Sequence, residues 1–274
     1  MSGGPESSPV VITGASGFIG RALVRALARR GASVIAATRG DTKGMDATWT
    51  KVKDYRETPN PHDATLVHLA EQSNTVQANQ RGSVHVAEVY ELVAALIAKR
   101  FRRIVYASSG QIYRRGSADA YITGKREAEK LVLAAGGAVV RLANVYGPGM
   151  SPRTLIGDIM RQIPGTGPLE LGSSSPRRDF LWIDDAADGL AAVALGSGTG
   201  IFDLGTGVSI SAGEMARLAL AAAGESERPV VSQTAADSDD DVITLDLAPV
   251  RTQFAWTATV DASEGLARLV KAHA

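Results

Sequence analysis

Along the first half of the chain, short runs of apolar residues recur: "PVVITG", "SVIAATR", "ATLVHLA", "RRIVYASS" and "AVVRLANV". They do not alternate with polar residues, as a strand with one wet face would. Parallel strands covered by helices on both faces of their sheet have this unbroken character. Between the runs the period changes. "FIGRALVRALARRG" puts Ile19, Leu23, Ala26 and Leu27 on one helical face, and Gly31 stands where a left-handed cap would end the helix. Further helices are predicted near 80–99 and 121–135. From Val10 to about Gly149 the chain reads as successive βαβ units, hence an α/β doubly wound parallel sheet. Ligands of such sheets lie at the carboxyl ends of the strands.

Beyond Gly149 the pattern loosens. "PGTGP" and "GSSSP" are loop clusters, and helices are predicted near 154–163, 184–196, 211–223 and 261–272. Two of them open with capping-box spacing, Ser211 with Glu214 and Asp261 with Glu264. These elements are too scattered for a core of their own. Residues 150–274 are therefore read as a small α/β substrate lobe interleaved with a nucleotide-binding domain at 10–149, and residues 1–9 as a flexible tail.

A chain of 274 residues can bury about 70 to 75 per cent of its surface, enough for one large domain with a lobe. Its 29 Lys and Arg balance 29 Asp and Glu. No net field is left to hold nucleic acid or an anionic membrane, so an anionic ligand must be held by local groups. The absence of cysteine excludes disulfides, thiolate metal sites and thiol nucleophiles, and fits a reducing compartment. No apolar run reaches the roughly 18 residues of a membrane helix. The opening "MSGGPESSPV" lacks the apolar run of a signal peptide. A soluble, cytoplasmic protein is expected. The acidic cluster "DSDDD" (237–241) lacks the spaced oxygen ligands and glycine of a calcium loop and reads as a solvated turn, so no metal is expected.

Chemistry enters with "VVITGASGFIG". A strand is followed by Gly14, Gly17 and Gly20 and then by a helix. Such glycines let the backbone turn tightly and approach a pyrophosphate, which the free N–H groups and dipole of the helix amino terminus stabilise. The second candidate is "YITGKREAE", where Tyr121 and Lys125 stand four apart and so share a helix face. A free tyrosine titrates near 10 and is a poor base at neutral pH. An ammonium one turn away stabilises the phenolate and lowers that value.

"TGASGFIG" together with "YITGK" resembles the extended short-chain dehydrogenase/reductase superfamily, specifically its NAD(P)-dependent epimerase/dehydratase family. "LVHLAE", "NQRGS", "VYASSGQIY", "RLANVYGPG" and "RRDFLWIDD" match further motifs of that family in its order. The resemblance runs from about Val10 to Val270 and implies a Rossmann domain with a small carboxyl-terminal substrate lobe. It implies that Tyr121 is the general acid/base, that Lys125 also holds the nicotinamide ribose, and that Ser109 hydrogen-bonds the reacting oxygen. Ser108 competes for that last role, but the register to "QIY" favours Ser109. The dinucleotide would lie along Gly14, Ser16, Gly17, Phe18, Ile19, Gly20, Leu69 and Ala70, with Thr38 and Arg39 at its ribose and Asp54 and Tyr55 at its adenine. Ser109, Gln111, Asn144 and Arg178 fall where the family binds a nucleotide-sugar substrate. Arg177 offers a second cation or pairs with Asp179.

Departures narrow the reading. Dehydratases of the family follow the active-site Ser/Thr with an Asp-Glu pair, but Gly110 and Gln111 stand here and neither is a general acid. NAD-dependent members usually end the second strand with an acidic residue. Here Thr38 and Arg39 occupy the place, and a guanidinium suits a 2′-phosphate, so NADP(H) is preferred over NAD(H). Asp41 is close enough in sequence to restore NAD binding. Only eleven residues separate Ser109 from Tyr121, a short loop for the family. Glu71 stands where a small residue is common and is read either as a substrate contact or as a surface side chain; His68 is read as structural. The leading expectation is an oxidoreductase that reduces a 4-keto nucleotide sugar. The alternatives are an epimerase with tightly held NAD, a reductase of a non-nucleotide carbonyl, and a non-catalytic nucleotide sensor. The helices near 80–99 and 121–135 are expected to form a homodimer interface.

Overall fold

The computed structural model of the protein describes residues 8–42, 48–114, 119–234 and 242–273. The first half runs β1 (Val10–Thr13), α1 (Phe18–Arg29), β2 (Val34–Thr38), β3 (Trp49–Lys51), β4 (Thr65–His68), α2 (Thr75–Arg81), α3 (Ser83–Ala98), β5 (Arg103–Ser109), α4 (Ala120–Ala134), β6 (Ala138–Leu142) and β7 (Asn144–Tyr146). The second half runs α5 (Leu155–Gln162), β8 (Leu169–Leu171), β9 (Arg177–Trp182), α6 (Ile183–Leu195), β10 (Gly200–Leu204), β11 (Ser209–Ser211), α7 (Ala212–Ala222), β12 (Val230–Ser232), α8 (Ala248–Phe254) and α9 (Ala262–His273).

The apolar runs become a seven-stranded parallel sheet in the order β10-β6-β5-β4-β1-β2-β3. Its central strands are buried on both faces, which is why they carry no polar alternation: Val11, Ile12, Leu66, Val67 and Val105 are each fully covered. Helices α1 and α6 pack together on one side, and α3 and α4 pack together on the other. The seventh strand and one of these covering helices come from beyond Gly149, so the sequence boundary there does not divide the sheet.

Several expectations are refined. The helix expected near 80–99 is two, broken at Gly82, whose φ of +54° and ψ of −131° no helix tolerates. "RLANVY" is also two elements. The chain leaves the large sheet after Leu142, and β7 instead pairs with β9 in a three-stranded sheet, β11-β9-β7, that founds the lobe. The capping box of Ser211 and Glu214 is present in full. At α9 only half of one forms: the Glu264 amide donates to Asp261 Oδ1 at 2.8 Å, while the Glu264 carboxylate turns to Arg268. The lobe is tied back to the sheet by Asp185 of α6, whose carboxylate accepts from the Thr259 and Val260 amides and the Thr259 hydroxyl at 2.8–3.0 Å. Among the described residues no helix is long and apolar enough to cross a membrane. The acidic cluster at 237–241 lies outside the described residues, as do residues 115–118 of the short loop before Tyr121.

Candidate active site

The glycine turn joins β1 to α1 at the carboxyl edge of the sheet. Gly14 has φ +72°, and a Cβ there would lie 3.0 Å from the backbone of Leu69 and Ala70 in the loop after β4. A Cβ on Gly20 would lie within 2.7 Å of Ala15 Cα. The turn is therefore pressed against both its own helix and the neighbouring loop, which is the reason for the residues at those two places. Gly17 precedes α1 without a side-chain cap, so the first amides of the helix are not covered by a capping side chain. Phe18 and Ile19 pack inward on the core. The Ser16 hydroxyl meets Thr38 Oγ1 at 2.7 Å, which links the turn to the end of β2.

Ser109 ends β5 and is partly exposed; its hydroxyl accepts from the Gln111 amide at 3.2 Å. Ser108 points the other way, as strand alternation requires. Its buried hydroxyl donates to Glu129 Oε1 at 2.6 Å, and Arg141 grips the same carboxylate at 2.6 and 3.0 Å. That commitment separates the two serines. Tyr121 sits in the first turn of α4, where Asp119 caps the helix by accepting from the Ile122 amide at 2.9 Å. Asn79 fixes the entry of that helix too, because its side-chain oxygen accepts from the Tyr121 amide at 3.0 Å. Lys125 lies one turn on, buried, with Nζ 6.0 Å from the centre of the Tyr121 ring. Gln111, Asn144 and Arg178 line one cleft, whose apolar wall includes Ile243 and Leu245.

Residues 10–205 match a profile described as the NAD dependent epimerase/dehydratase family. The chain belongs to that family. It is an NAD(P)-dependent enzyme by that membership. It is 24% identical over 299 residues to UDP-glucuronic acid decarboxylase 1 of Arabidopsis thaliana, covering 95% of this chain and 68% of that protein. It is 27% identical over 301 residues to dTDP-6-deoxy-L-talose 4-dehydrogenase (NAD(P)(+)) of Kitasatospora kifunensis, covering 92% of each. The fold is shared with RMD from Pseudomonas aeruginosa, solved with NADPH, at TM-score 0.78 and 20% identity over 99% of both chains. These relatives carry different activities, so the family alone does not name the reaction.

In this member of the epimerase/dehydratase family the residues at the glycine turn fit a dinucleotide, since a side chain at Gly14 or Gly20 would fill the cradle. Arg39, exposed after β2, lies over the Tyr55 ring at 5.2 Å from its centre. Asp54 caps the turn at 55–57 by accepting from the Arg56 amide at 2.7 Å. It also pairs with the Arg56 side chain at 3.3 Å. Arg177 does not pair with Asp179. It reaches Glu214 at 3.0 Å and the Ser209 carbonyl at 2.8 Å, because Asp179 points inward and accepts from the Thr206 and Gly207 amides and the Thr206 hydroxyl at 2.8–2.9 Å. Arg178 stays on the cleft side and donates to the Arg177 carbonyl at 2.8 Å.

Glu71 is not a surface side chain. Its side chain is only 7% exposed, and its Oε2 lies 2.7 Å from Lys125 Nζ. Lys125 also donates to the Ala107 carbonyl at 2.8 Å and lies 4.9 Å from the centre of the Tyr106 ring. Burial pushes the Glu71 carboxyl up, but the Lys125 ammonium together with His68 and the Tyr106 hydroxyl holds the group below its usual range. Burial likewise works against the Lys125 charge, and Glu71 more than restores it. His68 is structural: Nδ1 shares a 2.6 Å hydrogen bond with Thr13 Oγ1, and burial pushes the ring down to about 4, so it is neutral at pH 7. Asn79, Glu129 and the Glu71–Lys125 pair were not among the predicted site residues. Asn79 lies inside the quoted "NQRGS" and so had a signal; the partner of Glu71, 54 positions away, had none.

Proposed function

We propose that the enzyme is an NADP(H)-preferring oxidoreductase that reduces a 4-keto nucleotide sugar to the alcohol. The reading rests on Ser109 at the carboxyl end of β5 and on Tyr121 and Lys125 one turn apart on α4, with Gly110 and Gln111 where a dehydratase needs acids. The bound dinucleotide supplies the hydride. Tyr121 then gives its phenolic proton to the oxygen of the keto group, Ser109 holds that oxygen, and Lys125 orients the ribose. Such a positioned acid contributes about 10²–10⁴ in rate. Arg39 stands at the end of β2 for a 2′-phosphate. Arg178, Asn144 and Gln111 line the cleft as the contacts for the substrate's diphosphate and sugar, and Arg178 supplies the charge a neutral protein otherwise lacks. On this reading residues 10–149 bind the nucleotide cofactor and residues 150–274 complete the substrate site. The relative named as a 4-dehydrogenase supports redox chemistry at a sugar C4.

A second reading, epimerisation with tightly held NAD, draws on the stacking of Arg39 on Tyr55, which suits an adenine platform as well as a phosphate clamp. Denaturing the purified protein and identifying the released dinucleotide by mass spectrometry separates them. Near-stoichiometric NAD selects the epimerase; little nucleotide, or NADP(H) alone, selects the reductase. Tyr121→Phe should retain dinucleotide binding and lose at least about 10²-fold in NADPH oxidation by a 4-keto nucleotide sugar. An active variant would sink both readings. Dimerisation is proposed through α3 and α4, where Val84 and Tyr90 are exposed beside a shallow apolar concavity that also includes Val86 and Thr123.

A further inference from the structure

The pairing of Lys125 has a chemical consequence for the cofactor. An unpaired ammonium at this place raises the local charge by one unit. It helps a nearby tyrosine to ionise, and it also repels the oxidised nicotinamide, which is cationic, while leaving the neutral reduced ring alone. Here the ammonium is in contact with a buried carboxylate that no other described cation approaches as closely. Glu71 Oε2 takes Lys125 at 2.7 Å, and the lysine's remaining described bond goes to the Ala107 carbonyl. Glu71 Oε1 lies 3.7 Å from His68 Nε2, and the Tyr106 hydroxyl faces the same carboxylate; all three atoms are buried. The groups facing Glu71 are Lys125 of α4, His68 of β4, Tyr106 of β5 and His85 of α3. Burial lowers both histidines, leaving them without charge at neutral pH, and it raises the Tyr106 phenol, so of the groups facing Glu71 only Lys125 carries a charge.

We propose that Glu71 is a positioning and charge-balancing residue for Lys125: it fixes the ammonium against the end of β5 and cancels its charge, so that the site holds the oxidised dinucleotide without the repulsion a lone lysine would exert. This rests on the reading above, in which Lys125 faces the nicotinamide ribose. It assigns a function to the carboxylate that departs from the small residue common after "HLA".

Charge balance predicts opposite shifts from the two partners. Dissociation constants for NADP+ and NADPH, measured by fluorescence quenching and calorimetry on the full chain, provide the readout without turnover. Glu71→Gln keeps the shape and removes the charge; it should weaken NADP+ relative to NADPH by about tenfold. Lys125→Met should move the ratio the other way, and the double variant should return it close to the wild-type value. A role in packing alone moves both constants together and gives no such reversal. An unchanged ratio in Glu71→Gln overturns the proposal and leaves the dinucleotide reading intact, whereas wild-type protein that binds neither form overturns the reading itself. If Glu71→Gln does not fold, Lys125→Met and the double variant are compared: a weaker relative affinity for NADP+ in the double supports the proposal, and equal ratios refute it.

Discussion

Two ion pairs packed against the large sheet are buried, whereas the pair of Arg177 with Glu214 in the lobe is open to solvent. Glu71 with Lys125 and Glu129 with Arg141 all have side chains no more than 15% exposed. Arg177 with Glu214, in the lobe, are 39% and 46% exposed. Coulomb attraction is of similar geometry in all three, but solvent screens only the last. Buried pairs carry a large desolvation penalty, so what matters is the charge stranded when one partner is removed. The contrast teaches where rigidity has been built: the strand and helix that carry Ser109, Tyr121 and Lys125 are locked by buried pairs, and this surface of the lobe is not.

The largest effect should come from breaking the lock at Ser108. Arg141→Ala leaves Glu129 buried beneath the Ser108 hydroxyl with no cation and also removes a 2.8 Å bond to Tyr113, itself bonded to Asp203 of β10 at 2.9 Å. Urea unfolding should show a loss of about 3–5 kcal/mol. A loss below about 1 kcal/mol would mean that the buried network is no stiffer than the lobe.

A pH titration of stability sharpens the same contrast. His68 sits at about 4 in the folded protein against 6.5 ordinarily, because burial disfavours its charged form. A depressed folded value means that the unfolded chain takes up the proton first. Stability is therefore complete above pH 6.5 and falls as pH drops from there towards 4, by about 3 kcal/mol in all. Glu71 contributes separately, since its folded value is lowered and its stabilisation is lost only below its ordinary value of 4.5. His68→Gln should make the upper window shallower, leaving the part that the lowered His85 contributes, and leave the lower one in place, measured as unfolding free energy at half-unit steps.

What was legible in the chain follows from the range of the forces involved. The strands were readable because burial on both faces forces unbroken apolar runs, and the glycine turn because its backbone shape excludes side chains at Gly14 and Gly20. Elements of three residues, such as β3 and β8, are too short to show a period, and α8 begins with a proline-containing turn that gives no apolar face. The charged partners were illegible for another reason. Glu129 in "KREAEK" reads as a solvated helix face, and "EQSN" after Ala70 reads as loop, because a carboxylate's partner across the fold leaves no mark on its neighbours in sequence. Arg177 showed the converse: two residues apart on β9, it and Asp179 share a strand face, which suggested a pair, but Asp179 is drawn inward by the Thr206 and Gly207 amides and Arg177 turns to Glu214.

That surface arginine provides the smallest and most discriminating test. Arg177→Ala removes a pair to Glu214 that is open to solvent, and Glu214 keeps the bond it accepts from the Ser211 amide at 2.7 Å within the cap of α7. The carboxylate is thus not stranded, and the expected loss of stability is about 0–1 kcal/mol, decreasing further in high salt. Measured beside Arg141→Ala by the same urea method, it sets the scale of the difference between the two regions. A loss for Arg177→Ala as large as that for Arg141→Ala would show that exposure is not what separates them, and the lobe would have to be counted as part of the locked frame around Tyr121.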